Sequence, residues 1–185
     1  MSLWVVGCGN GDSDDGSPST PPPDSTPSDN TAADSAFAQA MIAAHNALRA
    51  NAAPAPSPAL PPLTWSVEAA QKAQAWAAQC KLASNPDPGG FGENIGGSTA
   101  YKVRTAQMVQ QVWGAEAVSY DYDKNTCAAG KICGQYTQIV WRNTTQVGCA
   151  LNLCTENSPF ASVSQWELWV CYYTPAGNQA DQRPY

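Results

Sequence analysis

The sequence predicts an α+β domain braced by disulfides, and three observations carry that reading. Apolar residues at helical spacing dominate from residue 34 to the early 120s. Runs rich in Val, Trp and Tyr dominate after residue 136. Six of the seven cysteines fall between residue 34 and the end. Helices first and strands afterwards, with no internal repeat, point to separate layers rather than alternating βαβ units. A length of 185 residues, 43% of them hydrophobic, suffices for one domain with a packed core.

The chain opens with Val5-Val6-Gly7-Cys8 after a short apolar run. This resembles a lipobox, in which Cys8 becomes a lipidated N-terminus; the alternative is a chance Val-Val-Gly-Cys. Gly9 after the cysteine resembles an outer-membrane address in a Gram-negative host. Residues 9–33 are rich in Pro, Ser and Asp and lack aromatics, so nothing there offsets the entropy of ordering. They read as a disordered tether between an anchor and a folded domain spanning 34–185. Five of the acids (Asp12, Asp14, Asp15, Asp24 and Asp29) sit in that tether, so the net charge of −6 leaves the remainder near neutral. A near-neutral domain lacks the basic face that a nucleic-acid binder needs. No stretch has the length of a membrane-spanning helix, which leaves Cys8 as the route to a membrane.

The elements follow in order. "DSAFAQAMIAAHNALRA" has Asp34 as an N-cap candidate, and Phe37, Met41, Ala44 and Leu48 at helical spacing. His45, the single histidine, falls on or beside that apolar face; alone, it reads as a satisfied core histidine. "NAAPAPSPALPP" is a Pro-rich loop. "TWSVEAAQKAQAWAAQCKLAS" is a second helix, with Ser66 as N-cap, Glu68 in the first turn and Ala69, Ala73 and Ala77 on a close-packing face. "NPDPGGFGENIGG" runs from loop into extended chain. "YKVRTAQMVQQVWGAEAVSYDY" is a third helix with Ala106, Val109, Trp113, Glu116 and Tyr120 on one stripe. Glu116 is thus a carboxylate on an apolar face, where an acid needs a partner or a purpose. "YTQIVW" is a strand or a short helical turn. "VGCALNLC" and "QWELWVCYYTP" are strands.

Seven cysteines, one histidine and no CxxC pair argue for disulfides in an oxidising compartment rather than structural zinc. If Cys8 is lipidated, six cysteines remain for three bridges, and sequence alone leaves all fifteen connectivities open.

Four segments then carry a resemblance. "AHNALRA", "FGENIGG", "GQYTQIVWRNTTQVGC" and "WVCYYTPAGN", in this order and spacing, resemble the four signatures of the CAP superfamily. That name covers cysteine-rich secretory proteins, insect venom antigen 5 and plant pathogenesis-related class-one proteins. The resemblance spans residues 34–185, and "GNQADQRPY" is especially similar to the plant members. The chain is identified on it as a bacterial lipoprotein member. The implied fold is a three-layer α-β-α sandwich with a small antiparallel sheet. The implied bridges are Cys80–Cys154, Cys127–Cys133 and Cys149–Cys171. The implied groove holds two histidines and two acids, which carry over to His45, Glu93, Glu116 and Gln135.

The last position departs from the family. Gln135 is a weak neutral ligand that carries no titratable proton, so a two-histidine zinc site is disabled. His45, Glu93 and Glu116 are then the candidates for a weak divalent-metal site, with no cofactor required. Gln135→His is expected to restore zinc affinity. Tyr172 replaces the family's usual Asn after "WVC". Arg49 and Asn46 read as structural, Trp113 and Trp141 as core, Glu156 and Glu167 as solvated. The implied function is an extracellular or surface-tethered monomeric binding module for a lipid, sterol, other small ligand or protein partner. The alternative is a hydrolase or protease using His45 with Glu93 or Glu116; no nucleophile motif or HExxH supports it.

Overall fold

The computed structural model describes residues 31–185. The expected lipidation at Cys8, and residues 9–30 of the expected tether, lie outside the described residues. Residues 31–33 belong to the folded part. Trp65 Nε1 donates to Thr31 O at 2.8 Å, and Ser35 N donates to Ala32 O at 3.2 Å.

Helix α1 is Ala36–Ala50, and its N-cap is Ser35 rather than Asp34. Ser35 has the extended backbone of a cap and its hydroxyl accepts from Ala38 N at 3.1 Å. Strand β1 is Thr64–Trp65 and helix α2 is Val67–Ala77. As expected, Ser66 caps α2, accepting from Ala69 N at 3.1 Å. Strand β2 is Gly92–Thr99.

The third helix is not continuous. It opens as α3, Thr105–Gln107, widens to a π-helical Met108–Trp113 and tightens to a 3₁₀ turn over Gly114–Ser119. The apolar pattern is right, since Val109 and Trp113 are fully buried. The winding adapts to close contact with α1: a Cβ on Gly114 would lie 2.9 Å from Leu48 Cδ1. A short hairpin follows, β3 Tyr120–Asp121 and β4 Thr126–Cys127. The ambiguous "YTQIVW" segment contributes to a helix, α4, Gly134–Ile139. Strands β5, Gln146–Cys154, and β6, Trp166–Thr174, complete the fold.

The main sheet has the order β1-β5-β6-β2. Its long pairs are antiparallel; only the two-residue β1 runs parallel to its neighbour β5. Alternate residues of β6 serve two cores. Trp166, Leu168, Val170 and Tyr172 pack on the Ala69-Ala73-Ala77 face of α2. Trp169, Cys171 and Tyr173 pack with Met41, Met108 and Trp113 on the other side. A strand buried on both faces reads as a continuous apolar run, as β6 does. Helix α2 sits close because Gly148 has no Cβ; one there would lie 2.2 Å from Ala70 N. The result is the expected α-β-α sandwich.

Three disulfides brace it: Cys80–Cys154 ties the end of α2 to β5, Cys127–Cys133 joins β4 to α4, and Cys149–Cys171 staples β5 to β6. The bridge over 74 residues of sequence stabilises most, about 4 kcal/mol in the chain-entropy view. Trp113 and Trp141 are core, and Glu156 is exposed, as expected. Glu167 is a correction: it is 5% exposed, not solvated, and accepts from Ser98 Oγ and Tyr101 N at 2.9 Å each. Its strand position points it inward, and β2 and the loop after it each supply one donor.

Arg49 is buried at 1% exposure, with no carboxylate partner among the described residues. Its guanidinium donates to Pro61 O at 2.9 Å, Ile139 O at 2.9 Å, Trp141 O at 2.8 Å and Thr144 O at 3.4 Å. Burial, then the nearby Arg142, lowers its pKa to about 10, so it stays charged at neutral pH. Asn46, one turn earlier, exchanges two hydrogen bonds with Leu63. Replacing Arg49 with Met keeps the volume and takes a donor from four carbonyls, of which Trp141 O retains the Thr144 N–H. The expected loss is about 3 kcal/mol, read as a drop in the urea midpoint at unchanged slope.

Candidate functional site

Strand β2 is an edge of the sheet, and a groove of about 370 Å³ lies beside it. Glu93, Ile95, Gln135, Ser84, Ile132 and Asn178 line it, with Cys133 and Gly134. A second cavity of about 330 Å³ lies beyond Gly134 and Asn178, which line both. Asn178 divides them: its amide donates to Gly134 O at 2.8 Å and accepts from Thr137 Oγ1 at 2.7 Å.

Glu93 is half-buried in the groove. Asn85 N donates to its two carboxylate oxygens at 3.1 and 3.3 Å. Asn85 Nδ2 donates to Tyr172 Oη at 2.9 Å, beneath Glu93. Burial, with Glu93 nearby, raises the Tyr172 pKa to about 12, so the phenol keeps its proton. Among the described residues the only salt bridge is Lys124–Asp121, so no cation neutralises Glu93.

Glu116 is committed to the fold. Its Oε2 accepts from Gln135 N at 2.9 Å and Tyr136 N at 3.0 Å, capping the first turn of α4. This is why an acid sits on the apolar stripe: it satisfies backbone donors that the helix leaves unpaired. Gln135 lies at the sheet edge. Its Oε1 accepts from Ile95 N at 3.1 Å, and its backbone carbonyl accepts from Asn94 Nδ2 at 3.0 Å.

His45 does not join these three. It is completely buried, with Nδ1 bonded to Met41 O at 2.7 Å and Nε2 to the Tyr173 hydroxyl at 2.8 Å. A carbonyl only accepts, so Nδ1 carries the proton and Nε2 accepts from tyrosine. Burial, set against the Met41 bond, lowers its pKa to about 4. The separation follows from β-sheet alternation. Glu93 pairs across from Tyr172, on the α2 face, whereas His45 bonds Tyr173, on the opposite face. Of the four residues expected to share a groove, Glu93 and Gln135 line this one, Glu116 caps the end of α4 beside it, and His45 lies in the core.

The metal-ligand sets can be tested against this geometry. A ring nitrogen of His45 lies within 4.8 Å of the sulfurs of Cys149 and Cys171, but those sulfurs are bonded to each other. A disulfide is no thiolate ligand, and both His45 nitrogens are taken. The groove offers carboxylate and amide oxygen with no imidazole, a donor set poorly matched to zinc. Loop residues Ser84, Asn85, Ile132 and Asn178 escape sequence reasoning because loops carry no periodic signal. Tyr172 left one trace, as the departure from the family pattern.

The molecule is thus a disulfide-braced α-β-α sandwich with a polar groove at its open sheet edge. Residues 42–173 match the cysteine-rich secretory protein (CAP) family, and the chain belongs to that family. A "Pathogenesis-related protein PR-1 type" of Sambucus nigra is 37% identical over 151 residues, 80% of this chain and 81% of that protein. The venom allergen-like protein 4 of Schistosoma mansoni superposes with TM-score 0.64 at 26% identity, over 82% of this chain and 94% of that one. NaASP2, solved with Zn²⁺, superposes with TM-score 0.62 at 25% identity, over 82% and 86%.

The buried histidine sets a pH dependence. Its folded pKa lies below the unfolded value of about 6.5. Stability is therefore full above pH 6.5 and falls as the pH drops toward about 4, by up to about 1.4 kcal/mol per unit from this group. The histidine C2–H resonance in NMR should stay unshifted until the pH approaches 4. Titration near 6.5 would contradict the burial. For Glu116 an acceptor is needed, not a base. Glu116→Gln should retain most of the stability, while Glu116→Ala should lose about 1–2 kcal/mol by chemical denaturation.

Proposed function

We propose that this chain is an extracytoplasmic binding module whose recognition site is the groove beside β2. One observation carries the reading. The proton-transfer groups expected of an enzyme, His45 and Glu116, are spent on the core and on α4, while Glu93 stands in the groove with no cation partner among the described residues. The groove's mixture of carboxylate, amide and isoleucine suits a small amphipathic ligand, a lipid or sterol headgroup, or a segment of a protein partner. Three disulfides favour an oxidising compartment. Among the described residues no helix is long and apolar enough to cross a membrane. A lipid on Cys8 would tether the domain to a surface, acting as a monomer. A hydrolase built on His45 loses its support, because that imidazole is sealed on the other face of the sheet.

The test is recovery of small molecules from natively purified protein by mass spectrometry, for wild type and Glu93→Gln. A ligand present in the first and depleted in the second supports the groove. Equal recovery would move the site elsewhere, and hydrolysis lost on Glu93→Gln would return the chain to the enzymes.

The disabled metal site is part of the same reading. Calorimetry at neutral pH should give weak or no zinc binding. Because His45 is out of reach, Gln135→His adds a lone imidazole beside Glu93 and should raise affinity little. A rise of 10- to 100-fold, the scale of a lost coordination partner, would mean that the groove rearranges to bring further ligands in.

A further inference from the structure

Among the described residues strand β2 has one partner in the sheet, β6, and its other edge faces the groove. Ile95 turns its N–H to that edge, and strand alternation turns Glu93 and Gly97 the same way. An exposed row of backbone donors and acceptors is a template for another strand. What meets Ile95 is the Gln135 side chain, whose Oε1 accepts from Ile95 N at 3.1 Å. A primary amide is chemically a peptide group. Gln135 thus places a carbonyl where the backbone of a neighbouring strand would place one. It does so from a half-buried side chain that can rotate away, not from a fixed backbone.

The walls beside this edge say what would replace it. Glu93 supplies a carboxylate with no cation partner among the described residues. Ile95 lines the groove, and Ile132, 71% exposed, stands over it. A lipid chain would leave the Ile95 N–H without an acceptor once Gln135 moved. An extended peptide supplies that acceptor from its own backbone, a basic side chain to Glu93 and an apolar one to the isoleucines.

We propose that the β2 edge is a strand-addition site for an extended segment of a partner protein bearing a basic residue, with Gln135 as the gate that holds the edge until the segment displaces it. This rests on reading the groove as the binding site, and it names the ligand class.

The probe is a phage-displayed library of random dodecapeptides, selected on the disulfide-intact chain. Enriched peptides should carry Lys or Arg and should slow hydrogen exchange at the amides of Glu93, Ile95 and Gly97. N-methylation at alternate backbone positions should abolish their binding. Gln135→Ala removes the competing acceptor and should tighten binding about three- to tenfold, the scale of one hydrogen bond. Glu93→Gln should weaken basic peptides by about fivefold or less, the scale of an exposed ion pair. Peptides that depend on Glu93 yet leave the β2 amides unprotected would overturn strand addition while sparing the groove. No enriched peptide, or protection elsewhere, would overturn the proposal. If Glu93→Gln also left small-ligand recovery unchanged, the groove reading would fall with it. Protection that grows with protein concentration alone would assign the edge to a second copy of the chain, and the peptide proposal would fail.

Discussion

The groove depends on how one short helix is held. Helix α4 has six residues, Gly134–Ile139, too few to be stable alone. A charge from another element fixes each end. The Glu116 carboxylate accepts from the N–H groups of Gln135 and Tyr136 at the start. The Arg49 guanidinium donates to the carbonyls of Ile139 and Trp141 at the finish. Anion at the N-terminus and cation at the C-terminus match the helix macrodipole at both ends. Arg49 and Glu116 come from α1 and from the 3₁₀ turn, so α4 is positioned by two elements that do not themselves line the groove.

That clamp explains how a charged side chain is buried with no counter-ion among the described residues. A buried guanidinium carries a large desolvation penalty unless its donors are filled. Arg49 fills them with backbone carbonyls of the loop before β1, the end of α4 and the loop that follows it. These contacts relieve the penalty. The disulfides act at different places: two anchor β5, to α2 and to β6, and Cys127–Cys133 fixes the approach to α4.

The sheet decides which polar groups can meet. Tyr172 and Tyr173 are adjacent in β6, yet one lies beneath Glu93 and the other bonds His45. A single residue step places two side chains on opposite faces. His45 is therefore a hydrogen-bonded core residue beside Trp113 and Tyr173, and Glu93 belongs to the open groove on the surface. The family signatures bring both into one domain without bringing both into one site.

Much of the architecture was legible in the residues. Helical spacing marked α1 and α2, Ser66 announced its cap, and the β-branched and aromatic run of β6 announced a strand. Each signal is local, a period or a cap within a few residues, and local signals survive in one dimension. The breaks in the third helix were not legible, because close contact with Leu48 at Gly114 changes the winding and the apolar pattern is kept. The pairing of six cysteines needed the family resemblance. Glu167 read as solvated because its donors, Ser98 and Tyr101, are about 70 residues away along the chain.

The sequence by itself determined that the chain is an α+β domain of this family, with one histidine, a glutamine at the fourth groove position and acids at Glu93 and Glu116. Only the tertiary structure decided what each of them does. Glu116 caps a helix, Gln135 holds a sheet edge, Glu93 faces the groove and His45 is sealed in the core. The reason is physical: residue type sets which hydrogen bonds and charges a side chain can offer, and the face of the sheet on which it lands sets what it meets.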